Sequence, residues 1–245
     1  MKATVFFLFI VFFISIPILA FGSEKNNPQD AKSLNQRQRS IIPIAAFTAS
    51  GDIERLKPAL NKGLDDGLTV NEIKEVLVHL YAYAGFPRSL NALSAFMGVL
   101  DERKAKGIED TVGREASPVP ADLDRDAYGA KVRAKLAGRE TDISGATWQQ
   151  FSPAIDTFLK EHLFADIFVR DVISHQDREL ATIAALANMT GTEGQLRFHF
   201  GAAMNTGLTQ AQMKDFISVL STTAGRDQAE RARNILVEVL NSRKQ

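Results

Sequence analysis

The sequence contains no cysteine in its 245 residues, and this absence excludes several kinds of chemistry at once. Without a thiolate there is no thiol catalysis, no cysteine-held iron–sulfur cluster and no cysteine-based zinc site. Disulfides, which many exported proteins use, are excluded as well. Proton transfer near neutral pH is therefore left chiefly to the four histidines.

The sequence also lacks a net charge and the motifs of several large protein classes. Its 29 basic and 29 acidic residues balance. No basic patch or RNA-binding aromatic motif is present, so we expect no nucleic-acid partner. There is no Walker loop, no dinucleotide-binding glycine motif, no HExxH and no Gly-x-Ser-x-Gly. We therefore expect neither a metal nor a cofactor.

Only one long apolar run is present, and it lies at the N-terminus. Lys2 precedes an apolar segment at 3–21, with a small-x-small cleavage pattern at 20–22. This arrangement is typical of a signal peptide over residues 1–22, followed by a flexible leader over 23–36. We expect a periplasmic or secreted protein of bacterial type. The alternative is an uncleaved anchor, because the run is nearly long enough to span a bilayer; the membrane would then be contacted through this segment alone.

One segment of the sequence occurs twice. Residues 67–85 read GLTVNEIKEVLVHLYAYAG and residues 207–225 read GLTQAQMKDFISVLSTTAG, with seven of 19 aligned positions identical. Each copy opens with a capping box, at Thr69 and Thr209, and continues with apolar residues at helical spacing. The repeat predicts two copies of one helical module packed on each other.

Helical spacing extends over most of the chain, and no segment alternates as a strand does, so we expect an all-α fold. The first module should span 37–106 and the second 151–245. The glycine- and proline-rich residues 107–150 should connect them, with one short helix inside. The last helix of the first module should span 88–106, and the apolar residues that we expect to face the core are Leu90, Leu93, Phe96, Met97 and Leu100.

The first candidate functional residue is His79, in the first repeat. Glu75 lies one turn before it and Tyr83 one turn after it, so the three side chains share one stripe. A carboxylate at that distance can orient the imidazole and raise its pKa. The alternative is a helix flank on which His79 binds a neighbour or solvent. The second repeat has Val219 and Thr223 in place of the histidine and the tyrosine.

The second candidate is His199, which lies in an aromatic-rich helical stretch. Glu179 opens the preceding helix, and antiparallel packing of the two helices would bring the two side chains together. The first copy has Ser40 and Leu60 at the matching places. An acid–imidazole pair present in one copy alone is hard to assign to a shared scaffold, although a satisfied core histidine is the alternative. We interpret His162, on an amphipathic helix, and His175, in a loop, as structural.

Two sets of short motifs carry a resemblance to a known family. The second half contains Arg178-Glu179-Leu180, Ala184-Ala185-Leu186-Ala187, Leu196-Arg197-Phe198-His199 and Gly207-Leu208-Thr209. The first half contains Glu72-Ile73-Lys74-Glu75-Val76-Leu77 and Tyr83-Ala84-Gly85-Phe86-Pro87. In this order they resemble the carboxymuconolactone decarboxylase family, and in particular its tandem-copy members, over about residues 37–106 and 151–240.

The resemblance implies the helical fold of alkylhydroperoxidase D, whose peroxidases use a CxxC pair with a helper His and Glu. His199 falls on the helper His, and Glu179 falls one residue away from the helper Glu. The two cysteine positions fall on Thr192 and Gln195. Thiol peroxidase chemistry by the family mechanism is therefore excluded for this chain.

The decarboxylase branch of the family, which needs neither cysteine nor cofactor, implies a lyase or isomerase acting on a small carboxylated lactone. His199 would be the general acid, oriented by Glu179. The other site residues that the resemblance implies line the pocket or bind substrate carboxylates: His79, Tyr83, Glu75, Arg178 and Arg88. Family rings of six modules imply a homotrimer of this two-module chain.

Two other interpretations remain open at the level of the sequence. The chain can be a non-catalytic exported binding or assembly protein that kept the fold, or a protein with a metal-dependent activity. The predicted export signal departs from the family, in which the catabolism of aromatic rings is normally cytoplasmic.

Overall fold

The structure of the chain, a computed structural model, describes Met1 and residues 33–244. This described part is helical and contains no strand, so the all-α prediction is confirmed. None of its helices is both long enough and apolar enough to cross a membrane. The predicted signal peptide and most of the predicted leader lie outside the described residues.

Four helices make up the first module. An asparagine capping box at Asn35 starts the first of them, and Leu34 just before it is buried with its amide donating to Asp215 (3.0 Å). The end of the predicted leader is therefore packed into the fold. The four helices are α1 (Gln36–Ser50), α2 (Ile53–Asp65), α3 (Val70–Ala84) and α4 (Phe86–Ala105).

The outward face of α4 differs from the sequence prediction. Leu90 and Met97 are 57% and 67% exposed, so their predicted inward orientation is wrong. Phe96 is buried as predicted, Leu93 and Leu100 are partly buried against the core, and Ala92 and Ala95 complete the buried stripe. Small residues on that stripe let α4 lie close to its neighbours, which leaves the longer side chains outside.

The connection between the modules is ordered and has its own small core. Residues 153–167 form a short α-helix followed by a π-helix, at the end of which Phe168 N–H bonds Leu163 O at 3.3 Å. Gly129 lies so close to the π-helix that a Cβ there would be 1.8 Å from the Lys160 carbonyl oxygen. The elements are α5 (Arg125–Leu136), α6 (Thr147–Phe151), α7 (Pro153–Thr157) and the π-helix (Phe158–Ile167).

The second module repeats the first. The threonine capping boxes predicted for the two repeats are both present, with Thr69 accepting from the Glu72 amide and Thr209 from the Gln212 amide. A glycine with positive φ follows the repeated helix in each copy. The four helices are α8 (His175–Ala187), α9 (Glu193–Asn205), α10 (Gln210–Thr223) and α11 (Arg226–Ser242).

The two modules share one hydrophobic core and exchange contacts across it. Helix α1 packs on α8, α3 packs on α8, and α10 packs on α1. Each repeated helix therefore lies against the first helix of the other module. Packing between the modules therefore creates two structurally equivalent sites. One lies where α3 meets α8 and α9, and the other lies where α10 meets α1 and α2.

Candidate functional site

The place where α3 meets α8 and α9 contains a concentration of buried polar side chains. Helix α3 supplies two of these side chains, α8 supplies three and α9 supplies one. We call this set the polar cluster, and its members are His79, Tyr83, Arg178, Glu179, Thr182 and His199.

The predicted acid–imidazole pair is formed in the polar cluster. His199 Nδ1 lies 2.8 Å from Glu179 Oε2, and the two residues are 5% and 0% exposed. A carboxylate only accepts hydrogen bonds, so Nδ1 carries the proton and Glu179 fixes the orientation of the ring. The Nε2 atom makes no hydrogen bond with the described residues. This free end can accept a proton when the ring is neutral and donate one when the ring is charged.

His79 belongs to the same cluster but is held in a different state. Thr182 donates its hydroxyl proton to the Arg178 carbonyl (2.9 Å), so it accepts from His79 Nε2 (2.8 Å). The proton of His79 is thereby placed on Nε2, and Nδ1 keeps a lone pair. Burial, followed by the charges of Arg178 and His199, holds the pKa of His79 well below its ordinary value. His79 is therefore a neutral hydrogen-bond acceptor near neutral pH.

Glu75 does not act on His79 as its sequence spacing indicates. Its carboxylate instead binds two arginines of the second half, Arg170 Nη2 at 2.8 Å and Arg178 Nη2 at 2.7 Å. The expectation that a nearby carboxylate would raise the pKa of His79 is wrong, because burial and then the charge of Arg178 lower this pKa, while Glu75 is paired with the two arginines. Glu75 and Arg178 are 2% and 0% exposed, so this ion pair is fully buried.

Tyr83 lies between the two histidines. Its ring centroid is 5.2 Å from that of His79 and 5.5 Å from that of His199. Burial and the charge of Glu179 raise the pKa of Tyr83, so the hydroxyl stays protonated. The hydroxyl is thus a donor, and it is buried without a hydrogen-bond partner among the described residues.

The α5–π-helix connection covers one side of the polar cluster. Phe168, which follows the π-helix, packs its ring 5.6 Å from His79 and 5.2 Å from His175, with the Arg178 guanidinium 5.7 Å away. His175 begins α8 rather than lying in a loop, and its burial lowers its pKa. The structural interpretation of His175 thus overlooked its position at the edge of the candidate site.

Several buried polar atoms of this region have no hydrogen-bond partner among the described residues. Leaving such a group unpaired costs about 1–3 kcal/mol, and folded proteins rarely tolerate more than a few. A ligand with both acceptors and donors would satisfy them. The atoms are His79 Nδ1, Tyr83 Oη, His175 Nδ1, Arg178 Nε, Arg178 Nη1 and Glu179 Oε1.

One arginine and one histidine of the sequence analysis lie away from the polar cluster. Arg88 is exposed near the start of α4 and makes no hydrogen bond or ion pair with the polar cluster among the described residues. His162 is half exposed on the π-helix, where it bonds Asp166 at 3.0 Å. Across residues 33–244, no group of three histidine, aspartate or glutamate side chains is placed to hold a metal ion.

The sequence analysis missed Thr182 and Arg170. Thr182 fixes the tautomer of His79, and Arg170 completes the neutralisation of Glu75. A threonine in an alanine-rich buried helix was the available signal for the first, because its hydroxyl needs a partner there. Arg170 lies in the irregular stretch before α8, where no periodic pattern indicates its direction.

The second equivalent place, between α1, α2 and α10, is an open groove with a volume of about 490 Å³. Its residues correspond one to one with those of the polar cluster, because the aligned helices begin at matching caps. In the order Arg178, Glu179, Thr182, His199, His79 and Tyr83, the corresponding residues are Arg39, Ser40, Pro43, Ala59, Val219 and Thr223.

The correspondence changes one detail of the sequence analysis. Helices α2 and α9 begin at Ile53 and Glu193, so His199 matches Ala59 and not Leu60. The ion pair between Arg178 and Glu75 is repeated beside the open groove, where Arg39 Nη1 binds both oxygens of Asp215 at 2.5 and 2.6 Å. The proton-transferring groups are not repeated.

Comparison with known proteins gives a family and two relatives. The family model described as "Carboxymuconolactone decarboxylase family" matches residues 26–97 and 153–238, which is more than half of the chain. A 4-carboxymuconolactone decarboxylase of Acinetobacter baylyi is 28% identical over 119 residues, covering 48% of this chain and 88% of that protein. An uncharacterized protein of Methanocaldococcus jannaschii is 28% identical over 72 residues, covering 29% of this chain and 67% of that protein.

Proposed function

The chain belongs to the carboxymuconolactone decarboxylase family as a tandem two-copy member, and from that premise we propose that it is a cofactor-free carboxy-lyase acting on a small carboxylated lactone. The observation that carries the proposal is the convergence of the His199–Glu179 pair with buried unpartnered donors and acceptors. Such an arrangement suits an anionic substrate that needs one proton delivered to carbon.

Substrate binding is assigned to Arg178. Its Nη2 holds Glu75 and the Arg170 carbonyl, while Nε and Nη1 remain as buried unpartnered donors. A carboxylate that is retained in the product would bind there through charge-assisted hydrogen bonds. The carboxylate that leaves must lie away from this charge, because loss of carbon dioxide removes a negative charge that an arginine would otherwise stabilise.

The bond that breaks joins a lactone carbon to its carboxylate. Carbon dioxide leaves, and the electron pair of that bond delocalises into the adjacent unsaturated lactone. The Tyr83 hydroxyl, kept protonated by its raised pKa, donates a hydrogen bond to the lactone oxygen on which negative charge develops. His79 Nδ1 accepts a hydrogen bond from the substrate or from water on the same side.

His199 completes the reaction. As an imidazolium it donates its Nε2 proton to the carbon that carried the carboxylate, and Glu179 stabilises the charged ring before the transfer. The neutral ring then takes a proton from water. One proton is consumed for each carbon dioxide released, so no oxidant or reductant is needed.

The proposal is tested with freshly prepared 4-carboxymuconolactone and related lactone acids, by following the release of carbon dioxide. We expect His199→Ala and Glu179→Gln to lower kcat by about 10²- to 10⁴-fold, the usual contribution of general acid catalysis. His162→Ala is the matched control, because that histidine is half exposed and outside the polar cluster; its kcat should stay within about two-fold of wild type. Equal turnover by wild type and His199→Ala would refute the proposed role, and no turnover of any lactone acid would favour the non-catalytic binding protein.

Two further properties are proposals that rest on the sequence. We propose that the chain is exported, because of the apolar segment 3–21 after Lys2; the full-length chain recovered only from the cytoplasm would contradict this. We also propose a homotrimer, by analogy with the rings of six modules in the family. Sedimentation at the mass of a single chain would contradict that assembly.

A further inference from the structure

We propose that the open groove between α1, α2 and α10 is a second, non-catalytic binding site for a small carboxylate. The class of ligand rests on the proposed function, since the groove occupies the place equivalent to the polar cluster. The groove retains the arginine of that cluster and lacks its acid–base groups. A ligand can therefore bind in it without being decarboxylated.

The anion-binding group of the groove is Arg39. Its Nη1 is bound to Asp215, while Nε and Nη2 make no hydrogen bond with the described residues. These two nitrogens lie side by side on the guanidinium, in the geometry that binds a carboxylate through two parallel hydrogen bonds. The side chain is 45% exposed, so the donors are reachable from solvent.

Of the acidic groups around the groove, Asp215 alone among the described residues binds Arg39, and it does so through Nη1, which leaves Nε and Nη2 for a ligand. Asp66 is occupied by Lys62 (2.9 Å), Gln36 (2.5 Å) and Ser40, and these hydrogen bonds help to lower its pKa although burial opposes them. Asp215 is already paired with Arg39 itself. The remaining carboxylate on the lining, Glu54, is exposed at the rim.

The shape of the groove fits a small molecule. Its volume of about 490 Å³ lies within the roughly 300–1,000 Å³ of typical ligand sites. Pro43, Phe47 and Val219 supply an apolar floor beside the arginine. A compact ring bearing one carboxylate would place its ring on this floor and its charge on Arg39.

Substitutions at the key positions explain why chemistry is absent from this site. Ser40 and Ala59 stand where Glu179 and His199 form the acid–imidazole pair. Val219 stands in place of His79. The groove thus has the anchor for an anion and no group that can deliver a proton to carbon.

The test uses calorimetric titration of the full chain with paraconate, a saturated lactone acid that has no unsaturated system to accept electrons. We expect Arg39→Gln and Thr223→Trp each to bind one paraconate fewer per chain than wild type, or to bind it at least about ten-fold more weakly, the usual effect of losing a charge-assisted hydrogen bond. Thr223→Trp fills the groove at a half-buried position without changing charge. The neutral methyl ester of paraconate should not distinguish wild type from Arg39→Gln.

The controls separate this proposal from the proposed lyase activity. Arg226→Gln removes an exposed arginine outside the groove and should leave paraconate binding unchanged. Both groove variants should keep the wild-type rate of decarboxylation at saturating substrate. Three outcomes decide between the two proposals. Unchanged paraconate binding in Arg39→Gln and Thr223→Trp would overturn the second site even if the chain is an active lyase. Conversely, Arg39-dependent binding without any turnover would support the second site and contradict the proposed lyase activity. A lower oligomeric mass of Thr223→Trp without a change in binding would identify the groove as a contact between chains and overturn the proposal.

Discussion

The polar cluster and the open groove occupy equivalent places in a duplicated fold, and they differ in burial as much as in composition. In the polar cluster the ion pair between Glu75 and Arg178 is completely buried, whereas the equivalent Asp215 and Arg39 are 18% and 45% exposed. The same helices therefore present the same pair of charges in two dielectric environments. Contacts that are present in both places belong to the scaffold, and contacts that are present in one place alone belong to the site.

The scaffold requires the ion pair, because both places retain it. It does not require a histidine, a tyrosine or a second buried carboxylate, because the open groove folds with valine, threonine and serine at those positions. Each unpartnered buried polar atom of the polar cluster lowers stability by about 1–3 kcal/mol. Groups that weaken the fold and are dispensable in the equivalent place are best explained by binding and catalysis.

The largest expected difference in stability comes from matched changes in the two ion pairs. Glu75→Gln keeps the shape of the side chain but leaves the Arg178 charge buried without an ionised partner, which should cost about 3–5 kcal/mol. Asp215→Asn is the equivalent change, and the exposure of Arg39 limits its cost to less than about 1 kcal/mol. Urea unfolding at pH 7 measures both. Equal losses would show that burial does not distinguish the two pairs.

Most of the scaffold could be predicted from the sequence. The repeat, the capping boxes at Thr69 and Thr209 and the helical spacing identify two copies of one module, because these signals are local along the chain. The pairing of Glu179 with His199 was also accessible, since adjacent antiparallel helices bring residues of known register together. The orientation of Leu90 and Met97 was not, because packing against other helices decides which of several apolar faces is buried.

The long-range contacts of the candidate site could not be predicted in the same way. Glu75 is one helical turn from His79, yet it binds Arg170 and Arg178, which follow it by 95 and 103 residues. No local pattern indicates that a repeated helix of one module packs on the first helix of the other. The pKa of His79 is lowered first by its burial and then by the charge of Arg178, and sequence spacing shows neither, so it led to the opposite expectation.

A smaller effect is expected in the pH dependence of stability, which His79 should contribute and Val219 cannot. The pKa of His79 is lowered in the folded state, so below about pH 6.5 the unfolded chain binds a proton that the folded chain does not. Stability therefore falls as pH falls through this range, by at most about 1.4 kcal/mol per pH unit from this group. His79→Gln should reduce that slope. His175, whose pKa burial also lowers, contributes in the same direction.

Urea unfolding of wild type and His79→Gln between pH 5 and pH 8 provides the measurement. Above about pH 7.5 the two stability curves should run parallel, because the imidazole is then neutral in both the folded and the unfolded chain. The constant difference between the two curves in this range measures the loss of the hydrogen bond to Thr182, and it can be subtracted from the pH-dependent part. A steeper fall at low pH in the variant than in wild type would contradict the neutral state assigned to His79.

The smallest effect concerns the contacts that the two repeats share. Thr69→Ala and Thr209→Ala each remove the cap of a repeated helix, whose hydroxyl accepts from the Glu72 amide (3.2 Å) or the Gln212 amide (3.1 Å). Each change should lower the free energy of unfolding by about 1 kcal/mol. Because both caps have the same geometry and belong to the scaffold, the two losses should agree within about 0.5 kcal/mol, and paraconate binding and turnover should be unchanged. A much larger loss in one repeat would mean that the two copies differ in the scaffold itself, and the contrast between the polar cluster and the open groove would then reflect folding as well as function.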